Sequence, residues 1–523
     1  MAIEKEVAVI HPEGEQELVV SGGPHQGSTV DTYGGIVHVK WDETAAVTPF
    51  GQLAFFVEFL KTAALWDEWV KDCPVTYTSP NAPAKADVLG TILLSVLAGH
   101  RRYAHITALR FDGVNPPLLG MTKVCSEDSV RRAFSDVEQA ACMAWLQRHL
   151  RISYEPLLRE PWILDIDSTV KPLYGHQEGA VKGYNPGKPG RPSHVYHTYF
   201  AANIRLVLDV EVQAGNQTAS SYAQPEFWKF HDSLAVEARP AFIRGDCGWG
   251  NEKMMSAAEE RRIAYLFKLK QTSKVKRLIE QAFSRQDWVP AGQGWTGVEA
   301  ELMLTGWSRQ RRVIVLRRRI GDERLAEEKK RLADTTPDQQ LALGFVEVVK
   351  DGPLYEYAVL VTSLPEGILA LGEHYRDRAD AENNFDELKN QWGWSGFTTH
   401  DLKRCQIMAR IIALIYNWWS LFTRLAIPEK HAEAITSRPL LLNAVGKQTT
   451  HSGQTTVTVT SMHAKAPQMR SALQTISSFL ATVRNAAEQL TYPQRWLLIL
   501  SRIFYRFLKG RILGQPQFSP GTG

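Results

Sequence analysis

The stretch PWILDIDSTV, residues 161–170, decides the fold. It is an apolar run of strand length that ends in acidic and hydroxyl residues, a pattern typical of a strand buried in a sheet. A Gly- and Pro-rich loop follows, and residues 194–213 then predict two further strands. Helix and strand alternate after that, with helices at 226–238 and 251–263 and strands at 239–246 and 264–270. This order is typical of a mixed α/β sheet with helices on its faces.

The segments before this sheet are an arm and a helical region. Residues 1–45 are polar and Gly-rich, and the alternation in GGIVHVKW predicts one or two strands. Residues 46–155 carry apolar residues at helical spacing, and Ser126 is a candidate N-cap for a helix that continues to about residue 150. Arg131 and Arg132 fit a DNA-binding helix-turn-helix, and they fit an ordinary helical bundle equally well.

The segments after residue 269 begin with a β-rich insertion at 270–362, which includes the candidate strand FVEVV (345–349) and a charged helix at 322–333. A long helix is predicted over 363–395, opened by a capping box in SLPE. The last region, 431–523, is helical after a Thr- and Ser-rich linker or hairpin. We therefore expect the α/β core to occupy 156–269 and 363–430.

Composition excludes several classes of protein. Of 523 residues, 44% are apolar and 22% are charged, which excludes a disordered or fibrous chain. The net charge of +4 excludes a polycation. Five cysteines without a C-x-x-C pair indicate a reducing compartment and no zinc knuckle. The longest apolar stretch, residues 408–422, contains Arg410 and Asn417 and is too short to span a bilayer, so we expect a cytoplasmic protein without membrane contact.

The insertion is locally basic. Residues 261–320 contain 14 Lys and Arg against four Asp and Glu, enough for this segment to follow a phosphate backbone. The run Arg317, Arg318 and Arg319 concentrates that charge in one candidate strand. The loop 182–194 combines Lys188 and Arg191 with Gly and Pro, which suits DNA approach and equally suits a flexible surface loop.

Two aspartates follow predicted strands. Asp167 ends ILDID, and Asp246 ends AFIRGD. In open α/β sheets the strand ends gather ligands and metals, although a single aspartate there is usually a turn or cap residue. Two such carboxylates with a third from a helix could hold two Mg²⁺ about 3.5–4 Å apart for phosphoryl displacement.

The predicted long helix offers the third carboxylate. Tyr375, Arg378, Glu382 and Lys389 fall within an arc of roughly 60° at about 100° per residue, on one face. Such a stripe suits a divalent ion and phosphate oxygens together, and it also suits a solvated face with ion pairs. Asp386 lies near the same stripe, so the geometry alone does not select Glu382.

These residues together resemble the DDE transposases of bacterial insertion sequences. The spacing Tyr375-x2-Arg378-x3-Glu382-x6-Lys389 is similar to the YREK signature of the branch with a β-rich insertion before its third acid. The blocks DIDST, KGYNPGKPGRPSH and IRGDCGWGNEKMM look like that branch, as does the leader GGIVHVKWDETAAVTPFGQLAFFVEFL. The resemblance covers most of residues 33–425.

The resemblance implies an RNase H-like core in which the metal ligands are Asp167, Asp246 and Glu382. It favours Asp167 over Asp165, because the family's first acid directly precedes the hydroxyl pair. It implies two Mg²⁺ ions, with Mn²⁺ as a substitute, and phosphate contacts from the tyrosine, arginine and lysine of the signature. Some relatives carry a tryptophan after the signature arginine, where this chain has Ala379.

The resemblance also implies cut-and-paste transposition through a DNA hairpin. The partners are then terminal inverted repeats and target DNA, and the enzyme acts as a homodimer in the bacterial cytoplasm, bound to the nucleoid when it holds DNA. A base unstacked at the hairpin could stack on Trp288, Trp295 or Trp307, of which Trp307 is taken as the candidate.

Two other functions remain compatible with the sequence. One is an RNase H-like nuclease that cuts without joining, and the other is a domesticated, catalytically silent DNA-binding protein. The intact acidic triad and signature weigh against the second. The sequence contains no P-loop, so ATP dependence is not indicated.

Overall fold

A computed structural model describes residues 27–320 and 355–515, except 78, 218, 220–223, 430, 463 and 487–488, and excludes the side chains of 379–382. The charged helix expected at 322–333 and the strand expected at 345–349 lie outside the described residues.

An exposed hairpin and a set of helices precede the central sheet. The hairpin pairs β1 (Ser28–Thr32) with β2 (Gly35–Val39), where alternation predicted strands. β3 (Val47–Thr48) follows. The helices are α1 (Leu53–Thr62), α2 (Leu65–Asp72), α3 (Lys85–Leu97), α4 (Asn115–Leu118), α5 (Glu127–Arg132) and α6 (Gln139–Tyr154), with 3₁₀ turns at Tyr103–Leu109 and Glu155–Leu157.

The capping prediction at Ser126 is confirmed, because its Oγ accepts a hydrogen bond from the amide of Ser129 at 3.2 Å. The prediction of one helix to residue 150 is wrong. α5 ends at Arg132, and α6 has its own N-cap, Glu138, whose carboxylate accepts from the amide of Ala141 at 2.9 Å. A second capping residue within the apolar pattern therefore divides the segment.

Among the described residues, ten strands form the central sheet. They are β4 (Ile163–Pro172), β5 (Val181–Lys182), β6 (Pro192–Ala201), β7 (Leu206–Ala214), β8 (Phe242–Gly245), β9 (Ala264–Lys268), β10 (Val289–Gly292), β11 (Trp295–Leu302), β12 (Arg311–Arg319) and β13 (Tyr355–Thr362). Three helices lie between them in the described part of the chain: α7 (Gln224–Asp232), α8 (Glu252–Glu260) and α9 (Ser273–Ala282).

The sheet is mixed. Its order is β10-β11-β12-β13-β9-β8-β4-β6-β5, with β7 also paired to β6. β4, β8 and β9 run parallel, and the other pairings are antiparallel. The predicted alternation of strands and helices is confirmed, and the arrangement fits an RNase H-like core.

The insertion extends this sheet. β13 pairs antiparallel with β9, and β10–β12 add outward from it. Because the insertion strands continue the hydrogen-bonded ladder of the core, they are held by the same backbone bonds as the core strands.

The described residues after β13 form six helices and a second hairpin. They are α10 (Ile368–Arg376), α11 (Ala379–Asn390), α12 (Leu402–Ala426), α13 (Ala434–Leu441), β14 (Gly446–His451), β15 (Gln454–Val459), α14 (Ala466–Arg484) and α15 (Tyr492–Ile503). The Thr- and Ser-rich stretch forms the hairpin β14–β15, to which β3 adds a third strand.

The predicted single helix over 363–395 is wrong. It consists of α10 and α11, separated at Asp377 and Arg378. The expected capping box in SLPE does not form either, because α10 begins after Gly367 without a side-chain cap.

α12 joins the regions into one core. It is buried along most of its length and packs against β7, α6, α14 and α15. Trp69 of α2 stacks on Trp145 of α6 at 5.4 Å and meets Trp418 of α12 edge-on at 5.4 Å. None of the described helices combines the length and apolar character needed to cross a membrane.

Candidate active site

The register of two parallel strands places Asp167 beside Asp246. β4 and β8 pair through Asp165 with Arg244 and through Ile166 with Gly245, so the next residue on each strand is one of the two aspartates. Neighbouring strands lie about 4.8 Å apart, and residues in one row share a face of the sheet. The two predicted acids are therefore neighbours across the sheet. Asp246 directly follows β8 as predicted, but the prediction that Asp167 ends its strand is wrong, because β4 pairs with β6 as far as Pro172.

Asp165, the rival for the first acid, is occupied by an ion pair. Arg244 donates from Nε to Oδ1 at 2.5 Å and from Nη2 to Oδ2 at 2.7 Å, and both side chains are buried. Arg244 also donates to the backbone carbonyl of His374. This pair anchors α10 to the sheet, and it uses both oxygens of the Asp165 carboxylate.

Asp167 is paired with the arginine of the predicted signature. Arg378 donates from Nη2 to Oδ2 of Asp167, and the arginine is buried. Burial alone would lower the pKa of Arg378, but the negative charges of nearby groups, Asp167 foremost and with Asp246 and Asp165 among them, raise it above its usual value. The guanidinium therefore stays charged in the middle of the acidic cluster.

The break between α10 and α11 changes the predicted stripe. Tyr375 lies in the last turn of α10, Arg378 precedes α11, and Lys389 lies near the end of α11. The prediction that these residues share one continuous helical face across four turns is therefore wrong. Glu382 lies early in α11, and its side chain is outside the described residues. Asp386, the neighbour that the stripe left open, is exposed and accepts a hydrogen bond from Asn390 at 2.6 Å.

A cavity of about 970 Å³ opens at the ends of these strands. Its walls come from β4, the loop after β5, the turn after β8 and the end of α11. They include hydroxyl, acidic, thiol, basic and aromatic groups: Ser168, Thr169, Lys188, Asp246, Cys247, Lys270, Trp307 and Lys389. One opening thus holds a strand-end carboxylate and several cations, which suits a phosphate chain and a divalent ion.

The residues present fit a divalent metal as far as their side chains are described. Asp246 is half-buried and accepts at Oδ1 from the amide of Gly248 at 2.9 Å, while Oδ2 accepts no hydrogen bond from a described residue. Oxygen donors of this kind are what Mg²⁺ prefers. Among the described side chains no group of three His, Cys, Asp or Glu is arranged to hold a metal ion, and the predicted third ligand is not among them.

The basic loop packs against an aromatic residue outside it, Tyr174, that sequence reasoning missed. Lys188 donates to the hydroxyl of Tyr174 and lies 4.9 Å from its ring centre, and the Arg191 guanidinium lies 4.7 Å from it. The hydrogen bond from Lys188 lowers the pKa of Tyr174. All three side chains project from the surface, so this loop presents an organised patch of two cations and one ring.

The arginines of β12 are unequal. Arg317 lies between Trp288 at 3.7 Å and Tyr355 at 4.8 Å, and Arg318 pairs with Glu356 over the ring of Trp295. Arg319 is exposed. Arg317 and Arg318 are therefore engaged by side chains of the protein, and only Arg319 of the three is exposed. The uniform sequence RRR does not indicate this difference.

The tryptophan candidates for base stacking already contact arginines. Trp307 is buried in the cavity wall, with the Arg311 guanidinium 5.3 Å from its ring. Trp288 and Trp295 contact Arg317 and Arg318 in the same manner. The assignment of Trp307 to stacking stays a prediction, and it requires movement of this wall to expose the ring.

Two more residues near the first acid were missed from sequence, His197 and Lys171. The amide of Ser168 donates to Oδ1 of Asp167 at 2.7 Å, and its hydroxyl lies 2.7 Å from Nδ1 of buried His197. Lys171 is buried and donates to the carbonyl of Gly396 at 2.5 Å. Alternation along β4 was a usable signal for Lys171, because it places Lys171 on the same face as Asp167.

Comparison with known proteins identifies the family. A family model described as transposase DDE domain group 1 matches residues 83–480. A solved structure, the cryo-EM structure of a piggyBac transposase synaptic complex with hairpin DNA, aligns over 92% of this chain and 90% of that chain, with 10% sequence identity and a TM-score of 0.35. No curated protein matches the sequence. Because the family model covers most of the chain, this protein belongs to the DDE transposases, divalent-metal-dependent enzymes of DNA transposition.

Proposed function

We propose that this transposase moves a bacterial insertion sequence by cut-and-paste transposition, with a DNA hairpin as intermediate. The observation that carries the proposal is the pairing of β4 with β8, which sets Asp167 and Asp246 in one row of the sheet, beside a cationic cavity that Asp246 lines. The YREK-like spacing before Lys389 supports the assignment to that branch.

The proposed metal ligands are Asp167, Asp246 and Glu382. Two bound Mg²⁺ ions, or Mn²⁺ in their place, would supply positive charge that activates a water or 3′-hydroxyl and stabilises the leaving oxygen. Asp246 presents an oxygen that no described residue engages. Asp165 is a poor alternative, because removing it from Arg244 would leave a buried guanidinium without its partner.

The proposed phosphate contacts are Tyr375, Arg378 and Lys389. Arg378 neutralises Asp167 and can exchange that carboxylate for phosphate oxygens, which a planar guanidinium binds in a bidentate manner. Lys389 lines the cavity with Asp246 and offers a point charge. Lys188 and Arg191, arranged around Tyr174, would hold the flanking strand.

The proposed assembly is a homodimer that brings two terminal inverted repeats together before joining to target DNA. The proposed location is the bacterial cytoplasm, at the nucleoid when DNA is bound. The basic insertion and the N-terminal helical region are the proposed sites of repeat recognition.

The test is a time course on terminal-repeat DNA with nicked, hairpin and joined products resolved. We expect Mg²⁺-dependent nicking, then hairpin, then joined product, and loss of all three in Asp246→Asn and Glu382→Gln with DNA binding retained. Pre-cleaved ends distinguish the alternatives, because a nuclease without joining activity would leave them unchanged. Normal cutting by Asp246→Asn would contradict the assignment of the metal ligands.

A further inference from the structure

A second cavity, of about 610 Å³, lies at the opposite end of β4 from the candidate active site. Its walls are the turn between β6 and β7, the end of α12 with the residues that follow, and the end of α15. Asn203 in that turn accepts a hydrogen bond at Oδ1 from the amide of Ile163, the first residue of β4, at 2.7 Å. Asp167 lies four residues further, about 13 Å along the strand, and the two cavities share no lining residue.

Arginine dominates this second cavity. Arg205, Arg424, Arg502 and Arg506 line it, against Glu429 as the acidic residue among the described lining residues. Arg502 and Arg506 are exposed at the end of α15, whereas Arg424 is half-buried in the last turn of α12. The cavity therefore runs from an exposed cationic rim to a partly buried cation.

Arg424 lacks an acidic partner in the described part of the chain. It makes no hydrogen bond or ion pair there, and its guanidinium lies 5.0 Å from the ring centre of Phe504. Burial lowers the pKa of Arg424 to about 10; Tyr416 opposes this shift, and the positive charge of Arg205 adds to it. A negatively charged ligand would remove this repulsion, since a partly buried cation is stable only when a counter-charge or hydrogen-bond acceptor is near.

His431 gives an independent indication of a ligand. Its side chain is only 9% exposed, and Nε2 lies 2.8 Å from Oε2 of Glu387. Its buried Nδ1 has no hydrogen-bond partner among the described residues, although His431 lines the cavity. Buried polar atoms are normally paired, and an imidazolium donates through both nitrogens.

We propose that this cavity binds a phosphate group, with Arg424 and His431 at its inner end and Arg502 and Arg506 at its rim. Guanidinium groups match the oxygen geometry of phosphate and remain charged at any physiological pH. The phosphate can come from two sources, a backbone phosphodiester of bound DNA or a free phosphate ion. Either would tie the C-terminal helices to the turn between β6 and β7, a contact remote from the cleavage chemistry.

The experiment measures both sources without Mg²⁺, so that its outcome is independent of strand cleavage. The first measurement is thermal unfolding and calorimetric titration with inorganic phosphate, against chloride at equal ionic strength. The second is the affinity for a terminal-repeat duplex as a function of salt. The cavity variant is Arg502→Gln with Arg506→Gln, and the charge-matched control is Arg470→Gln with Lys509→Gln, two exposed cations that do not line the cavity.

We expect phosphate to raise the unfolding temperature of the wild type, and the cavity variant to bind phosphate at least tenfold more weakly than the control. If DNA is the source, the cavity variant also lowers the slope of log affinity against log salt by about 1–2, because each phosphate contact contributes about 0.9. A changed phosphate affinity with an unchanged slope identifies a free phosphate ion as the ligand.

A variant at the inner end checks the site independently. Arg424→Lys keeps the charge but loses the bidentate geometry, and it should weaken phosphate binding while the unfolding temperature without phosphate stays near that of the wild type. Equal phosphate affinity in the cavity variant and the control, or no effect of phosphate on the wild type beyond that of chloride, would overturn the proposal.

Discussion

Asp165 and Asp167 lie two residues apart on one face of β4, and each is paired with an arginine, yet the two pairs differ in their surroundings. Asp165 and Arg244 are nearly inaccessible, with side chains each 2% exposed, and both carboxylate oxygens are used. Asp167 is paired with Arg378 through Oδ2 at the point where the strand reaches the cavity. The comparison teaches that position along the strand decides whether a buried carboxylate is enclosed within the fold or lies beside a cavity that a ligand can enter.

The first prediction concerns Asp167, the aspartate beside the cavity. Asp167→Asn should reduce strand cleavage by about 10⁴-fold, equivalent to about 5.4 kcal/mol of barrier, because a neutral amide cannot replace a metal-binding carboxylate. Folding should be retained, since the asparagine still accepts from Arg378. The measurement is Mg²⁺-dependent nicking of terminal-repeat DNA beside a gel shift. Cleavage at the wild-type rate would show that the first acid is elsewhere on this face.

The second prediction concerns Asp165, the aspartate of the enclosed ion pair. Asp165→Asn should destabilise the protein by roughly 3–5 kcal/mol, because Arg244 would keep its buried charge without a counter-charge. The free energy of unfolding in urea measures this loss. Asp165→Asn with Arg244→Met should recover part of it, since both charges are then absent. A stable Asp165→Asn protein that has lost only cleavage would reverse the roles of the two aspartates.

The third prediction tests a cation on the same face of β4. Burial lowers the pKa of Lys171 to about 8, and its ordinary value is 10.5. The unfolded chain therefore binds more protons between these values, so this group makes stability rise with pH through that window, by up to roughly 3 kcal/mol. We expect the difference in unfolding free energy between wild type and Lys171→Met to grow from pH 8 to pH 10. A difference independent of pH would mean that Lys171 titrates normally.

The fourth prediction asks whether Arg378, the partner of Asp167, acts through its charge alone or also through the planar geometry of its guanidinium. Arg378→Lys should slow hairpin formation or joining on pre-nicked ends by about 10–100-fold, because a lysine cannot bind two oxygens with a planar fork. Binding of a long duplex should change little, since other phosphates are still held. Lys389→Arg, which keeps a charge at the cavity wall, is the matched control and should cause a smaller loss. Conversion at the wild-type rate by Arg378→Lys would leave the arginine a structural partner of Asp167.

The smallest effect is expected at β12, where exposed and packed arginines are also neighbours. Arg319→Gln should lower the slope of log affinity against log salt by about 1 if this exposed residue contacts a phosphate. Arg317→Gln should instead lower the unfolding temperature, because Arg317 fills the space between Trp288 and Tyr355. An unchanged slope for Arg319→Gln would show that the arginine at the end of the strand is only solvated.

Much of the core could be predicted from local patterns. The order of strands and helices from β4 to β9, the cap at Ser126 and the hairpin after residue 445 follow from hydrophobic period and capping residues. The errors fell where two local signals compete within one apolar pattern. Glu138 starts a new helix inside one predicted helix, and the turn at Asp377 and Arg378 divides another.

The candidate site was less predictable, because its selection depends on partners far away in the chain. Arg244 is 79 residues from Asp165, and Arg378 is 211 residues from Asp167. No periodicity in the sequence predicts which arginine forms an ion pair with which aspartate. The family pattern selected Asp167, and the ion pair of Asp165 supplies an independent physical reason for the same choice.

The sequence by itself determined the residue types and their local positions: a buried strand that contains Asp167, a second that Asp246 follows, and cations spaced along the following helices. Only the tertiary structure decided that the insertion continues the core sheet through β13, that Arg317 is packed while Arg319 is exposed, and that four arginines converge beside His431. The physical reason is that strand and helix patterns depend on neighbours in the chain, whereas burial and charge pairing depend on strands and helices that only folding brings together.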